Sequence, residues 1–281
     1  DSIYCQTNQL DCAGACNGTA ELDVCGICNG SNSTCCLDEF ADNYLDDGNC
    51  ADYPDNGDYS LSFDGVDDWA KIENLNIEAS DSYSIAFWFK MNEQNSGNLN
   101  RFLVEGNTPS SPSFEGWYEN GDFIRYYVNG DVNERTPSLE QDIWYHVVGT
   151  WNNETQDFRL YFNGMRQSTK GDVRDDAITS LSIAKRLNGG SNLLAMQIDN
   201  LIIFNYPFEN NDALELYNNT MDLNYENENG NLLGWYNFNQ IDSFYDLSDN
   251  GNHGIIYGAT WVCDEIDACG VWCGDNSSCP T

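Results

Sequence analysis

Histidine and positive charge are scarce in this chain. Two residues of 281 are His and 11 are Lys or Arg, against 46 Asp and Glu, for a formal net charge of −35. A surface of that sign repels phosphate backbones and anionic headgroups, which argues against nucleic acid and the membrane surface as partners. No apolar run approaches the roughly 20 residues that cross a bilayer, so membrane insertion is not expected. Few histidines also leave little room for nucleophilic catalysis. His146 lies mid-strand between Tyr145 and Val147 and reads as a packed core residue; His253 lies in an Asn-Gly-Asn-His-Gly turn and reads as structural. No motif supports a Ser-His-Asp arrangement. The 41% hydrophobic content is nevertheless ample for a core, which excludes a disordered acidic tail.

Cysteine is absent from residues 51–262 and dense on either side. Cys5, Cys12, Cys16, Cys25, Cys28, Cys35, Cys36 and Cys50 precede that stretch, and Cys263, Cys269, Cys273 and Cys279 follow it. The distribution divides the chain into a Cys-rich segment 1–50, a body 51–262 and a Cys-rich segment 263–281. An even, clustered set points to disulfides and an oxidising compartment, extracellular or at the cell surface. The rival reading, zinc at Cys25-Gly-Ile-Cys28, rests on one isolated Cys-x-x-Cys. Segments this short bury little core, so bridges must hold them.

The two ends are related. AELDVCGICNGSNSTC at 20–35 and DEIDACGVWCGDNSSC at 264–279 share eight of sixteen positions without gaps. Such ends suit a segment of a longer tandem array, a subunit joining end to end, or linkers between modules. DCAGACNG at 11–18, with DVCGICNGSNSTC after it, resembles the short Cys/Gly/Asn/Asp repeats of very large secreted surface proteins. CLDEFADNYLDDGNC at 36–50 resembles a second repeat of those proteins. That resemblance implies a Cys36–Cys50 bridge, with Cys35 taking another partner.

The body alternates apolar and polar residues in many short stretches separated by turn residues. In YSIAFWFKM (83–91), Tyr83, Ile85, Phe87, Phe89 and Met91 share a face; in FRLYFN (158–163), Phe158, Leu160 and Phe162 do so, before an Asn163-Gly164 turn. Further strands are expected near 59–63, 69–73, 101–105, 122–128, 144–151, 180–185, 195–205, 232–238 and 254–262. The one helix signal is 209–218, with acidic residues at its start. About a dozen strands in one body predict an all-β fold: an antiparallel two-sheet jelly-roll sandwich between small disulfide-rich modules.

LSFDGVDDW, YSIAFWFK, WYHVVGTW, FRLYFNG, LSIAKR and QIDNLIIFN follow one another between residues 61 and 205. Together they resemble the laminin-G-like, concanavalin A-like jelly roll, related to the pentraxin fold. Residues 234–261 resemble a segment that often opens such a domain, yet here they follow the helix. They are expected to complete their own sandwich, the alternative being a strand added to a neighbour. Glycosidases of this fold carry a Glu-x-Asp-x-x-Glu string, which is absent, so no enzyme is expected.

The same resemblance implies Ca²⁺ at the sandwich edge. The matching positions are Asp64, Asp67 and Asp199, with Asp246 and Asn250 of the DLSDNGN loop as weaker candidates. Asp199 alternates onto the face of Leu201 and Ile203, where a lone carboxylate needs a partner. Asp38, Asp42, Asp46 and Asp47 offer a further, less regular set of oxygens. Trp117 and Tyr118 precede a turn and are candidates for stacking on a sugar. Sequons at Asn17, Asn29, Asn32, Asn153, Asn218 and Asn276 are glycosylation candidates, close to the number chance supplies. The expected function is an extracellular structural or adhesive protein, a module or subunit of an appendage, filament or adhesin, stabilised by calcium. Its partners are other copies of itself or neighbouring modules. The alternative is a calcium-dependent carbohydrate-binding module with glycans as partners.

Overall fold

The computed structural model describes residues 10–16, 18–31, 35–37, 41, 43–46, 59–91, 101–107, 113–117, 123–127, 134–171, 177–185, 193–219, 230–241 and 243–263. The chain forms two compact units, Asp1–Pro54 and Asp55–Thr281.

The first unit has almost no apolar interior. Among its described residues only Cys35, Cys36 and Ala41 are buried hydrophobics, whereas Leu10, Leu22, Val24, Ile27 and Leu37 are exposed. Local turns build it instead. Asp11 accepts the amides of Ala13, Ala15 and Ala20, and Asp23 accepts those of Cys25 and Ile27 at the equivalent place twelve residues on. A Cβ at Gly18 or Gly30 would collide with the Asp11 or Asp23 carboxylate, 1.8 and 1.9 Å away, so each coil closes only on glycine. Disulfides Cys12–Cys28 and Cys25–Cys35 fasten the coils. Cys25 and Cys28 thus belong to two different bridges, which excludes the zinc alternative. Cys16, Cys36 and Cys263 are also disulfide-bonded. Cys5, Cys50, Cys269, Cys273 and Cys279 lie outside the described residues, and with them the expected Cys36–Cys50 bridge.

The second unit is the sandwich. Its described strands are β1 (Tyr59–Asp64), β2 (Trp69–Ile72), β3 (Tyr83–Met91), β4 (Arg101–Gly106), β5 (Ser113–Trp117), β6 (Phe123–Tyr127), β7 (Glu134–Arg135), β8 (Trp144–Asn152), β9 (Asp157–Phe162), β10 (Met165–Gly171), β11 (Leu181–Ile183), β12 (Ala195–Phe204), β13 (Leu232–Tyr236), β14 (Gly254–Tyr257) and β15 (Thr260–Cys263); helix α1 (Asn210–Asn219) follows β12. The first sheet runs β10-β9-β8-β3-β12-β1-β15, with β13 also on β12; the second runs β14-β2-β11-β4-β5-β6-β7. All pairings are antiparallel.

The main core lies between the sheets and contains Phe63, Tyr83, Phe87, Phe89, Phe114, Tyr126, Trp151, Phe158 and Ile203. The alternation read in 83–91 places its odd-numbered residues there. Gly149 of β8 admits two of the rings: a Cβ would stand 2.4 Å from Tyr126 and 2.6 Å from Phe114. Helix α1 covers the outer face of the first sheet, burying Ala213 and Leu216 against Ala86, Val148, Ile202 and Phe204.

The last segment departs from the expected single strand at 254–262. Gly258 (φ +86°) turns the chain, so β14 pairs with β2 in one sheet and β15 with β1 in the other. Residues 232–263 thereby fold back onto their own sandwich, with β13 on the C-terminal half of β12 and β1 on its N-terminal half. β5, β7 and β10 were not anticipated. β5 and β7 carry Gly, Pro neighbours or charge and lack clear alternation, and β10 is set by pairing across the Asn163-Gly164 turn.

Candidate functional site

FDGVDDW joins β1 to β2, and its acidic residues converge. Asp64 ends β1, and its Oδ1 accepts the amides of Val66 (2.7 Å) and Asp67 (3.3 Å), turning the chain back. Asp68 Oδ2 accepts the amide of Asp64 at 3.1 Å, closing the loop. Gly65 (φ +76°) occupies the left-handed region, and a Cβ there would meet the Ala195 amide nitrogen at 2.7 Å. Gly258 stands against Asp68 Oδ1, 2.1 Å from where its own Cβ would be. Only glycine at both places lets β12 and the β14–β15 corner close on the loop.

One carboxylate oxygen each of Asp64, Asp67 and Asp68 lies within 4.8 Å of the others. Amide donors hold the Asp64 carboxyl below its ordinary range, the Val66 amide most strongly. Asp68 is buried, and burial raises its carboxyl, with the charges of Asp64 and Asp67 adding to the effect. A cluster of this kind is self-repelling until a cation enters. Its donor set is carboxylate oxygen on a short loop, the type a hard divalent cation selects. The oxygens of Asp64, Asp67 and Asp68 therefore suit Ca²⁺ by donor type and closeness.

Asp64 and Asp67 are the positions expected from the motif; Asp68 is an addition. The signal was present in the same motif, but strand alternation does not reveal that the loop folds Asp68 back onto Asp64.

The other candidates do not join this cluster. Asp246 is fully buried and caps its own loop: it accepts the amides of Trp235 (2.9 Å), Ser248 (3.0 Å) and Asn252 (3.0 Å), while its amide donates to His253 Nδ1 (2.9 Å). Asn250 donates to the Leu232 carbonyl and Ser248 Oγ. Asp199 differs from the alternation. β12 carries a bulge between Asp199 and Ile202, with Asn200 at φ +47°. The bulge sets Asp199 opposite Trp88, on the outer face with Ile202 rather than the inner face with Leu201 and Ile203. Its carboxylate takes the Asn200 amide and side-chain nitrogen.

Asp46 is exposed, and its carbonyl accepts the Cys36 amide; Asp38, Asp42 and Asp47 lie outside the described residues. So do Asn17, Asn32, Asn276 and Tyr118; Trp117 is the last residue of β5. Asn153 sits half-buried in the β8–β9 turn, and Asn29 and Asn218 are exposed.

Beside the acidic loop is an aromatic pair that no local motif marks. Trp69 and Tyr257, opposite each other on β2 and β14, stack at 4.0 Å and 6°. Lys185 Nζ lies 4.0 Å from the Trp69 ring centroid. Tyr257 is 41% exposed. The pairing requires β14 to lie against β2, a contact 188 residues apart in the chain that local pattern cannot show.

His146 has no access to solvent. It packs beside the stacked Trp88 and Tyr217 rings, both ring nitrogens lack a partner among the described residues, and burial lowers its pKa to about 3. It is the packed core histidine expected and cannot serve as a base.

A solved structure of a candidate carbohydrate-binding protein from Bacteroides ovatus is 14% identical, with a TM-score of 0.56, covering 75% of this chain and 61% of that one. A heptameric SAP-like pentraxin from Limulus polyphemus is 15% identical, with a TM-score of 0.47, over 58% of this chain and 83% of that one. A protein of Rattus norvegicus with sushi, von Willebrand factor type A, EGF and pentraxin domains is 29% identical over 117 residues, 40% of this chain and 3% of that protein's length. The family model described as concanavalin A-like lectin/glucanases superfamily matches residues 64–213, from the acidic loop to α1. With two antiparallel sheets and more than half the chain matched, the chain belongs to the concanavalin A-like lectin/glucanases superfamily.

Proposed function

We propose that this chain is an extracellular adhesive module, part of a surface appendage, filament or adhesin, whose sandwich is stabilised by Ca²⁺ on the Asp64–Asp68 loop. The convergence of Asp64, Asp67 and Asp68 carries this reading, because a buried carboxyl among like charges is the arrangement a cation relieves. Disulfide-bonded coils in the first unit support an oxidising location. The three-part division at 50 and 263 belongs to the same reading, with the Cys-rich segments as connectors to other copies or modules.

Calorimetric titration of the EDTA-treated protein with CaCl₂ tests the cation. At a hundredfold excess over Kd, calcium should raise the melting midpoint by about 5–10 °C. Asp68→Asn keeps an oxygen for the Asp64 amide, so it should raise the midpoint of the calcium-free protein at neutral pH and abolish the calcium response. No binding heat and no midpoint shift in the native protein would sink the proposal.

The Trp69–Tyr257 pair beside the loop favours a second reading, a carbohydrate-binding module, since saccharides stack on exposed rings. Glycan-array binding that EDTA abolishes and Tyr257→Ala weakens is the outcome expected of that reading. An array without signal, together with fibres seen by electron microscopy of native material, would leave the adhesive-filament reading alone.

A further inference from the structure

On the outer face of the first sheet, away from the acidic loop, α1 and the segment leading into it enclose a pocket of about 150 Å³. That is the size of an engineered cavity that holds benzene. Phe204, Tyr206 and Phe208 line it, with centroids 4.8, 5.3 and 5.6 Å apart; Tyr206 is half-buried and offers its ring, with Phe204 and Phe208 buried behind it. Asp212 and Glu215 line it from α1, three residues apart and therefore on one flank of the helix. Asp212 Oδ2 accepts the Glu209 amide, which fixes its position at the helix start. Glu215 is exposed, and its carboxylate has no hydrogen-bond or ion-pair partner among the described residues. Among the described residues no Lys or Arg lines it.

We propose that this pocket receives the guanidinium of an arginine presented by a partner polypeptide. Aromatic faces attract cations, and two carboxylates with no Lys or Arg in the described lining complement one electrostatically while disfavouring anions. A guanidinium suits the pocket better than an ammonium. It is planar, stacks on rings, sheds water more readily and meets carboxylates with paired donors. The other side of the same segment already holds one. Arg159 of β9 donates to the Phe208 carbonyl and to the carboxylates of Glu209 and Asp157. The pocket offers a second seat of the same chemistry, and none of the described basic side chains lines it.

Titration of the full chain with N-acetyl-arginine N-methylamide, followed by amide NMR with EDTA present, tests this independently of the cation site. Shifts confined to residues 204–219 are expected. Glu215→Gln, an exposed change that leaves the fold intact, should weaken binding about tenfold, the share of one charge-assisted hydrogen bond. The lysine and citrulline counterparts should bind more weakly. Absence of local shifts, equal binding of either counterpart, or unchanged affinity in Glu215→Gln would each overturn the assignment.

Discussion

At the scale of single residues, two positions report on how closely the sandwich is packed. Gly149 has no side chain because Tyr126 and Phe114 occupy the space. Gly149→Ala should therefore cost about 1–3 kcal/mol, the range for overpacking a filled core, read as a lower urea midpoint with unchanged slope. His146 couples stability to pH. Its folded pKa of about 3 lies below the 6.5 of an unfolded chain, so the unfolded state binds the extra proton between those values. Stability is full above about pH 6.5 and falls as the pH drops towards 3. Between pH 7 and pH 5 this group alone should remove about 2 kcal/mol. His146→Leu should erase that difference, measured by urea unfolding at the two pH values. An identical loss in wild type and variant would show that other groups are responsible.

At the scale of elements, the attachment of α1 to the sheet depends on Arg159. Its side chain is nearly buried, reaches two carboxylates and the Phe208 carbonyl, and has its ionisation held above the ordinary value despite burial. Arg159→Ala leaves the Phe208 carbonyl and the largely buried Asp157 without that donor. A loss of about 2 kcal/mol is expected, discounted because Glu209 is exposed. Hydrogen exchange should show α1 and residues 205–209 opening before the central strands β3 and β8, because the helix rests on a smaller apolar cluster than the inter-sheet core. Uniform protection across α1 and β3 would contradict this ranking.

At the scale of the whole molecule, the two units are held by different forces. Among its described residues the first has bridges and carboxylate-capped turns but scarcely any buried apolar side chain; the second has a continuous aromatic and aliphatic core. Each native bridge in a small module is worth about 2–5 kcal/mol. Reduction with a phosphine should therefore unfold the first unit and leave the tryptophan fluorescence and far-ultraviolet β signal of the second close to native. Protease sites should then open within residues 10–46. Simultaneous loss of both signals would mean that the sandwich also depends on its bridges.

Much of this was legible before any coordinates, for reasons of short-range physics. Period-2 alternation in 83–91 and 158–162 assigned inner faces, Asn163-Gly164 marked a hairpin, and the clustering of cysteines separated disulfide-held chain from hydrophobically held chain. These features depend on neighbours a few residues apart, and local pattern carries them. What depends on chain segments meeting was not legible. The bulge at Asn200 reversed the face of Asp199; the turn at Gly258 sent β14 and β15 to different sheets and set Tyr257 on Trp69; the closing of the β1–β2 loop brought Asp68 to Asp64 and Asp67. Composition, cysteine spacing and strand alternation determined an acidic, disulfide-bonded all-β chain. The tertiary structure decided that, among the described residues, Asp64, Asp67 and Asp68 bring carboxylate oxygens within 4.8 Å of one another, because the loop folds back on itself and Gly65 and Gly258 let Ala195 and the β14–β15 corner close against it.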